Sequence, residues 1–376
     1  MNIGIVGYPT FGGSGVVATE LGKALAKKGH NIHFISYNQP ARLEELTPHI
    51  FFHEVNPADY PLFDYLPYEA ALSSKIVDVA RFEKLDILHV HYAIPHASAA
   101  YMAKEILKTH GIHLPFITTL HGTDITLVGR DPSYEPVITF AINHSDVVTS
   151  VSESLKEDTY KHFKITREIK VIPNFVCTDV FKDAREKLSP EVVKQYAPKG
   201  EKILMHISNF RKVKRVEDVV YVFDKVRKKI PSKLLLVGDG PERQKVENLC
   251  RELGTCNDIY FIGKIKSTEH ALAMADLFLL PSEFESFGLA ALEAMASGVP
   301  VISSNTGGLP EVNQHSKSGF LANVGDVEAM ANFAIQILEN ENTLKQFRKG
   351  AFEQALKFDI RKILPLYEDL YKSLIK

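Results

Sequence analysis

Twice along this chain, short apolar runs of strand length alternate with stretches of helix-forming composition, and that alternation limits the fold more than any other feature. The runs at 3–6, 33–36, 85–91, 115–120 and 145–152 belong to the first half. Those at 202–208, 234–242 (a strand with its turn), 259–264, 277–280, 300–303 and 319–321 belong to the second. Strand–helix–strand units of this kind bury apolar strands in a parallel sheet covered on both faces. At 376 residues the chain is long for a single core. Two Rossmann-like, doubly wound α/β domains are therefore expected, residues 1–172 and residues 173–359, with a C-terminal helix at 360–376. The polar segment 189–200 breaks the pattern as a linker or capping segment would.

Composition removes several function classes. A hydrophobic content of 45% with 24% charged residues is ordinary for a globular chain. The net charge of −2 offers no electrostatic footprint for nucleic acid or an anionic membrane, so neither partner is expected. No apolar run approaches the roughly 20 residues of a membrane span. Cys177, Cys250 and Cys256 fit no zinc spacing and are expected as reduced thiols of a cytoplasmic protein. The opening Met-Asn-Ile-Gly-Ile-Val-Gly lacks the basic and long apolar regions of a signal peptide.

The stretch 281–300 carries the chemistry. An apolar run ends at Pro281; helix-forming residues begin at Gly288 and stop at Ser297-Gly298. Glu285 then lies in a loop and Glu293 about one turn inside a helix. The first N–H groups of a helix lack internal partners, so Ser286, Phe287, Gly288 and Leu289 would offer bare donors to an anion. Carboxylates beside such an anion site suit hydroxyl groups, and together the two functions suggest a nucleotide sugar. A solvated Glu285 and a surface Glu293 are the alternative.

Other loops follow strand ends, where ligands of parallel sheets bind. Residues 16–28 read as a helix, and Gly12, Gly13 and Ser14 sit at its N-terminus, suited to the anionic side of an acceptor or to donor phosphates. Gly13-Ser-Gly15-Val-Val-Ala18 also matches a relaxed dinucleotide fingerprint. That reading fails because too many residues separate strand and glycines, and the next strand ends in Ser36-Tyr37 rather than an acid. His91, Tyr92 and His121-Gly122 end two further strands; His121 alone is as well read as structural. Asn209-Phe-Arg-Lys-Val-Lys-Arg215 places four cations in seven residues at a strand end, which suits a diphosphate.

Glu285-x7-Glu293 with Ser-Phe-Gly-Leu between, His121-Gly122 and Lys214 together resemble the retaining GT-B glycosyltransferases of family 4, and the resemblance covers the whole chain. It implies two domains facing across a cleft, with the C-terminal helix crossing back to the first. It implies that Glu285 touches the transferred sugar, Glu293 the ribose, the intervening amides the distal phosphate, and that His121 approaches the reacting carbon. His121, Glu285 and Lys214 are thus the expected catalytic residues. Gly13, Asn209, Arg211, Lys214, Glu285, Ser286, Phe287, Gly288, Leu289 and Glu293 are the expected donor contacts. The family places an Arg where this chain has Asn209, and Arg211 is the candidate substitute. Gly12, Ser14, Tyr92, Thr119 and Arg130 are expected on the acceptor side. Within the family, the opening Gly-Ile-Val-Gly-Tyr-Pro-Thr-Phe-Gly-Gly-Ser-Gly and the loop Ser-Asn-Phe-Arg-Lys-Val-Lys-Arg resemble members that move GlcNAc from UDP-GlcNAc to L-malate at the start of bacillithiol biosynthesis. No Asp-x-Asp occurs, so neither metal nor cofactor is expected. Another family 4 acceptor (lipid or polysaccharide), a GT-B epimerase and a non-catalytic UDP-sugar sensor stay open, as does a homodimer.

Overall fold

The computed structural model describes residues 1–43, 47–57 and 66–375. The chain divides into two compact units, Met1–Asn174 with Arg361–Lys376, and Phe175–Ile360.

In the first unit seven parallel strands are β1 (Asn2–Val6), β2 (Asn31–Ser36), β3 (Ile50–Glu54), β4 (Ile87–His91), β5 (Phe116–Leu120), β6 (Val147–Ser150) and β7 (Ile169–Val171). Their order is β3-β2-β1-β4-β5-β6-β7. β4 and β5 are buried along their whole length, as strands covered on both faces must be. β3, at one edge, has only half-buried and exposed residues. The C-terminal helix Ile360–Leu374 contributes to this unit through fully buried Tyr367 and Tyr371. The Tyr371 hydroxyl lies 2.7 Å from His89 Nδ1.

In the second unit six parallel strands are β8 (Lys202–Ser208), β9 (Ser232–Gly238), β10 (Ile259–Gly263), β11 (Leu277–Leu280), β12 (Val301–Ser304) and β13 (Gly319–Ala322). Their order is β10-β9-β8-β11-β12-β13. Each sheet reverses its winding direction once, between β1 and β4 and between β8 and β11. Loops beyond the carboxyl ends at such switch points are where doubly wound sheets bind ligands. The expected doubly wound α/β fold is met in both units.

Two local expectations need correction. Segment 189–200 contains the helix Pro190–Tyr196, opened by Ser189, whose hydroxyl accepts from the Glu191 N–H, and by Pro190 at the first position. The helix expected from residue 16 begins at Gly13, because Gly12 is extended and the first turn starts directly after it. All three cysteines are free. Among the described residues no helix is long and apolar enough to cross a membrane.

Candidate functional site

The second unit gathers a charged cluster at its switch point. After β8 the chain passes Asn209 and Phe210, makes a tight helical turn at Lys212–Lys214, and turns at Arg215 in the left-handed region (φ 49°) into the helix Val216–Arg227. The four cations separate here. Arg215 Nε donates to Asp218 Oδ2 at 2.6 Å in the first turn of that helix, and Arg211 and Lys212 are exposed. Lys214 Nζ reaches Glu285 Oε1 at 2.6 Å, across 71 residues of sequence. The same oxygen accepts from Ser282 Oγ at 2.8 Å. Asn209 is exposed, and its carbonyl lies where a Cβ on Gly240 would stand at 2.0 Å.

The loop beyond β11 is tied down by its backbone. Glu283 N–H donates to Val213 O at 2.8 Å, fixing it to the cation loop. Gly308 N–H donates to Glu285 O at 2.8 Å, and a Cβ on Gly307 (φ 54°) would stand 2.1 Å from that oxygen. Only a glycine permits this approach. Gly288 precedes the helix Leu289–Ala296 in the left-handed region (φ 95°). Its N–H and those of its neighbours open that helix, while the Phe287 ring is buried against Phe358 and leaves only its backbone for binding. Glu293 is buried, with Oε2 accepting from Thr268 Oγ1 at 2.9 Å, so it is not a surface residue.

His206 connects β8 to β11 beneath this cluster. Its Nδ1 lies 2.8 Å from the Leu279 carbonyl, which can only accept, so Nδ1 carries the proton and Nε2 accepts from Ser208 Oγ at 2.8 Å. Burial pushes its pKa down to about 4, and the neutral ring holds this geometry at pH 7.

The first unit gathers a histidine cluster at the carboxyl ends of β4 and β5. Asp124, 2% exposed, accepts from Ala93 N–H at 2.8 Å and Gly122 N–H at 3.1 Å, joining the two loops. Burial pushes its pKa up to about 6. His91 Nδ1 lies 2.8 Å from His121 Nε2, and His96 Nδ1 donates to the His91 carbonyl. Burial lowers His91 well below its ordinary range, His96 to about 4 and His121 to about 3, so the rings are neutral near pH 7. His91 Nε2 is buried without a hydrogen-bond partner. A buried N–H there would cost more than a buried lone pair, so the His91 proton sits on Nδ1 and is donated to His121 Nε2. His121 therefore carries its own proton on Nδ1, as a neutral donor.

Ser14 Oγ lies 2.6 Å from the Tyr92 hydroxyl, and the Tyr92 ring stands 5.2 Å from those of Tyr8 and His121. Gly12 and Gly13 are exposed at the start of the helix Gly13–Lys27. Thr119 needs correction as an acceptor contact. It is fully buried, with Oγ1 between His89 Nε2 at 2.7 Å and Thr149 Oγ1 at 2.6 Å, and serves the sheet interior. The Arg130 side chain lies outside the described residues, although its backbone closes the turn Val128–Arg130. Sequence reasoning placed His91 at a strand end without its link to His121, and missed Ser282, Thr268, Gly307, His96 and Asp124. Only Gly307, beside Gly308 and before a helix-starting Leu-Pro, carried a local signal.

Two family models together match most of the chain. Residues 11–180 match the model described as Glycosyltransferase Family 4, and residues 190–354 match Glycosyl transferases group 1. The N-acetyl-alpha-D-glucosaminyl L-malate synthase of Bacillus anthracis is 48% identical over 381 aligned residues, covering 100% of this chain and 98% of that one. The chain belongs to the family 4 glycosyltransferases. Solved structures give its fold as GT-B. The Anabaena protein HepE with UDP and glucose superposes with a TM-score of 0.81 at 20% identity, over 99% of this chain and 100% of that one. Sucrose-phosphate synthase from Thermosynechococcus elongatus superposes with a TM-score of 0.79 at 22% identity, over 100% of this chain and 99% of that one. For this family 4 member, the motif residues Lys214 and Glu285 are thus held in direct contact within one unit.

Proposed function

We propose that this family 4 glycosyltransferase moves GlcNAc from UDP-GlcNAc to the hydroxyl of L-malate, with retention of the α configuration, at the entry to bacillithiol biosynthesis. The observation that carries the reading is the 48% identity, over essentially the whole of both chains, to a relative named for that product. The donor side follows from the second unit. Lys214, with Arg211 nearby in sequence, neutralises the diphosphate, and the amides of residues 286–289 bind its distal phosphate. Glu285 is held by Lys214 and Ser282 through one oxygen, leaving the other for a sugar hydroxyl. Glu293 takes the ribose hydroxyls, and Gly13 and Asn209 complete the donor contacts.

In the transfer the bond from the anomeric carbon to the β-phosphate oxygen breaks while a bond to the malate hydroxyl oxygen forms on the same face. The hydroxyl proton passes to an oxygen of the departing UDP. Negative charge grows on that phosphate, where a fixed Lys214 cation and preoriented amides lower the barrier most. These fixed cations do the work that a bridging metal does elsewhere. His121, neutral and protonated on Nδ1, donates to a sugar oxygen. Gly12, Ser14 and Tyr92 face the malate carboxylates with a helix N-terminus and two hydroxyls.

Proton NMR of the product made from UDP-GlcNAc and L-malate tests the reading. An α-anomeric GlcNAc signal attached to malate is expected. A β-anomer would overturn retention, and no malate adduct beside intact UDP-GlcNAc binding would overturn the acceptor.

A further inference from the structure

We propose that His33, His53 and Glu83 form a binding site for a transition-metal dication, zinc by preference, which fastens the edge of the first sheet. The proposal stands apart from the transfer reading, because none of these residues serves donor or acceptor. His33 lies on β2 and His53 on the edge strand β3, in a register that pairs His33 with Phe51 and Ile35 with His53. Paired residues of neighbouring strands, and residues two apart along one strand, share a face, so both imidazoles project from the same side. Their rings stack 5.3 Å apart, and His33 Nδ1 lies 3.0 Å from His53 Nε2. Glu83 ends the helix Tyr68–Phe82, and one ligand atom from each of the three residues lies within 4.8 Å of the others.

Tetrahedral zinc with bonds of about 2.0–2.1 Å to nitrogen separates two imidazole nitrogens by about 3.3 Å, so the pair needs to open only slightly. Two imidazoles and one carboxylate, with water in the fourth position, suit zinc; magnesium and calcium prefer oxygen ligands throughout. Metal binds the neutral imidazole. The contact between them uses one N–H. Zinc takes both facing lone pairs, and that proton moves to the far nitrogen of its own ring, so no proton is lost overall. Glu83 supplies negative charge at a helix C-terminus, where carbonyl dipoles favour a cation. Lys75 opposes it, acting on His53 less strongly than Glu83 does. An ion here would join β2, the helix end and a strand that lies at the edge of the sheet among the described residues.

Metal-stripped full-length protein should be titrated with Zn2+ in competition with a chromophoric chelator, beside His53→Gln and the exposed-site variant Glu83→Gln. One equivalent bound by the wild type, weakened by about tenfold or more in each variant, is expected. Co2+ should give the visible absorption of a four-coordinate nitrogen–oxygen site, and His53→Gln should abolish it. Malate-dependent UDP release should be equal in all three proteins. Absence of zinc binding by the wild type overturns the proposal. So does unchanged binding in both variants, which would place the ion on other histidines or on Cys256.

Discussion

Lowering the pH from 7 to 5.5 perturbs the two units unequally, because buried neutral histidines are concentrated in one of them. His33, His89, His91, His96 and His121 belong to the first unit, and burial depresses all five: His89 and His121 to about 3, His33 and His96 to about 4, and His91 well below its ordinary range; burial lowers His53 in the same sense. The second unit has His206, at about 4. A histidine with a folded pKa below its unfolded value of 6.5 binds fewer protons when folded. The stability it contributes is complete above 6.5 and is lost as the pH falls toward the folded value. Each strongly depressed group removes about 1.3 kcal/mol between pH 7 and 5.5, or about 6 kcal/mol for the five. Asp124 acts in the opposite sense. Its folded pKa, raised from 3.8 to about 6, favours the folded state on acidification, and over this interval returns about 0.8 kcal/mol. The first unit should therefore lose about 5.5 kcal/mol and the second about 1.3 kcal/mol, against a total stability of about 5–15 kcal/mol for a typical protein. Hydrogen exchange read peptide by peptide and corrected for intrinsic rates separates the units. Protection in β4 and β5 should fall by roughly ten-thousandfold, and in β8 and β11 by roughly tenfold. Equal loss in both units, or none in the first, would refute the reasoning.

Three further outcomes follow from particular contacts. Lys214→Met should lower kcat by about 10²–10³-fold, the scale of one lost charge-stabilising donor, while far-ultraviolet circular dichroism stays unchanged. Gly307→Ala should cost both melting temperature and UDP affinity, since its Cβ meets Glu285 O at 2.1 Å. Gly254→Ala, also at positive φ but with nothing within 4 Å, should cost about 1 kcal/mol and leave UDP affinity alone. His91→Asn can place an amide N–H where Nδ1 now donates and should keep His121 protonated on Nδ1. His91→Leu removes the donor and should shift the 15N resonances of His121 toward a tautomer mixture.

What the sequence disclosed was local. Glu285, Gly288 and Glu293 lie within one strand–loop–helix passage, so their spacing could be read directly. The cation loop was visible as a charge run, but its division of labour was not. That Lys214 meets Glu285 depends on β8 lying beside β11, whereas Arg215 turns back to Asp218 within the first turn of its own helix. The histidine cluster was hidden for the same reason. His89 and His91 alternate along β4, yet only the adjacency of β4 and β5 brings His91 to His121 and Thr119 to His89. The helix Pro190–Tyr196 escaped because none of its residues is buried, so it has no apolar periodicity, although Ser189-Pro190 marks its start. Thr119 was misplaced because a strand-end position does not show which way its hydroxyl points.

The measurement that bears most directly on the central claim is UDP release from UDP-GlcNAc, with and without L-malate, in the presence of EDTA. The account predicts release that depends on malate and is indifferent to the chelator. Release without regard to malate, or tight UDP-GlcNAc binding with no malate-dependent turnover, would contradict the acceptor assignment. Release restored only by added Mg2+ would contradict the role given to Lys214 and its neighbours.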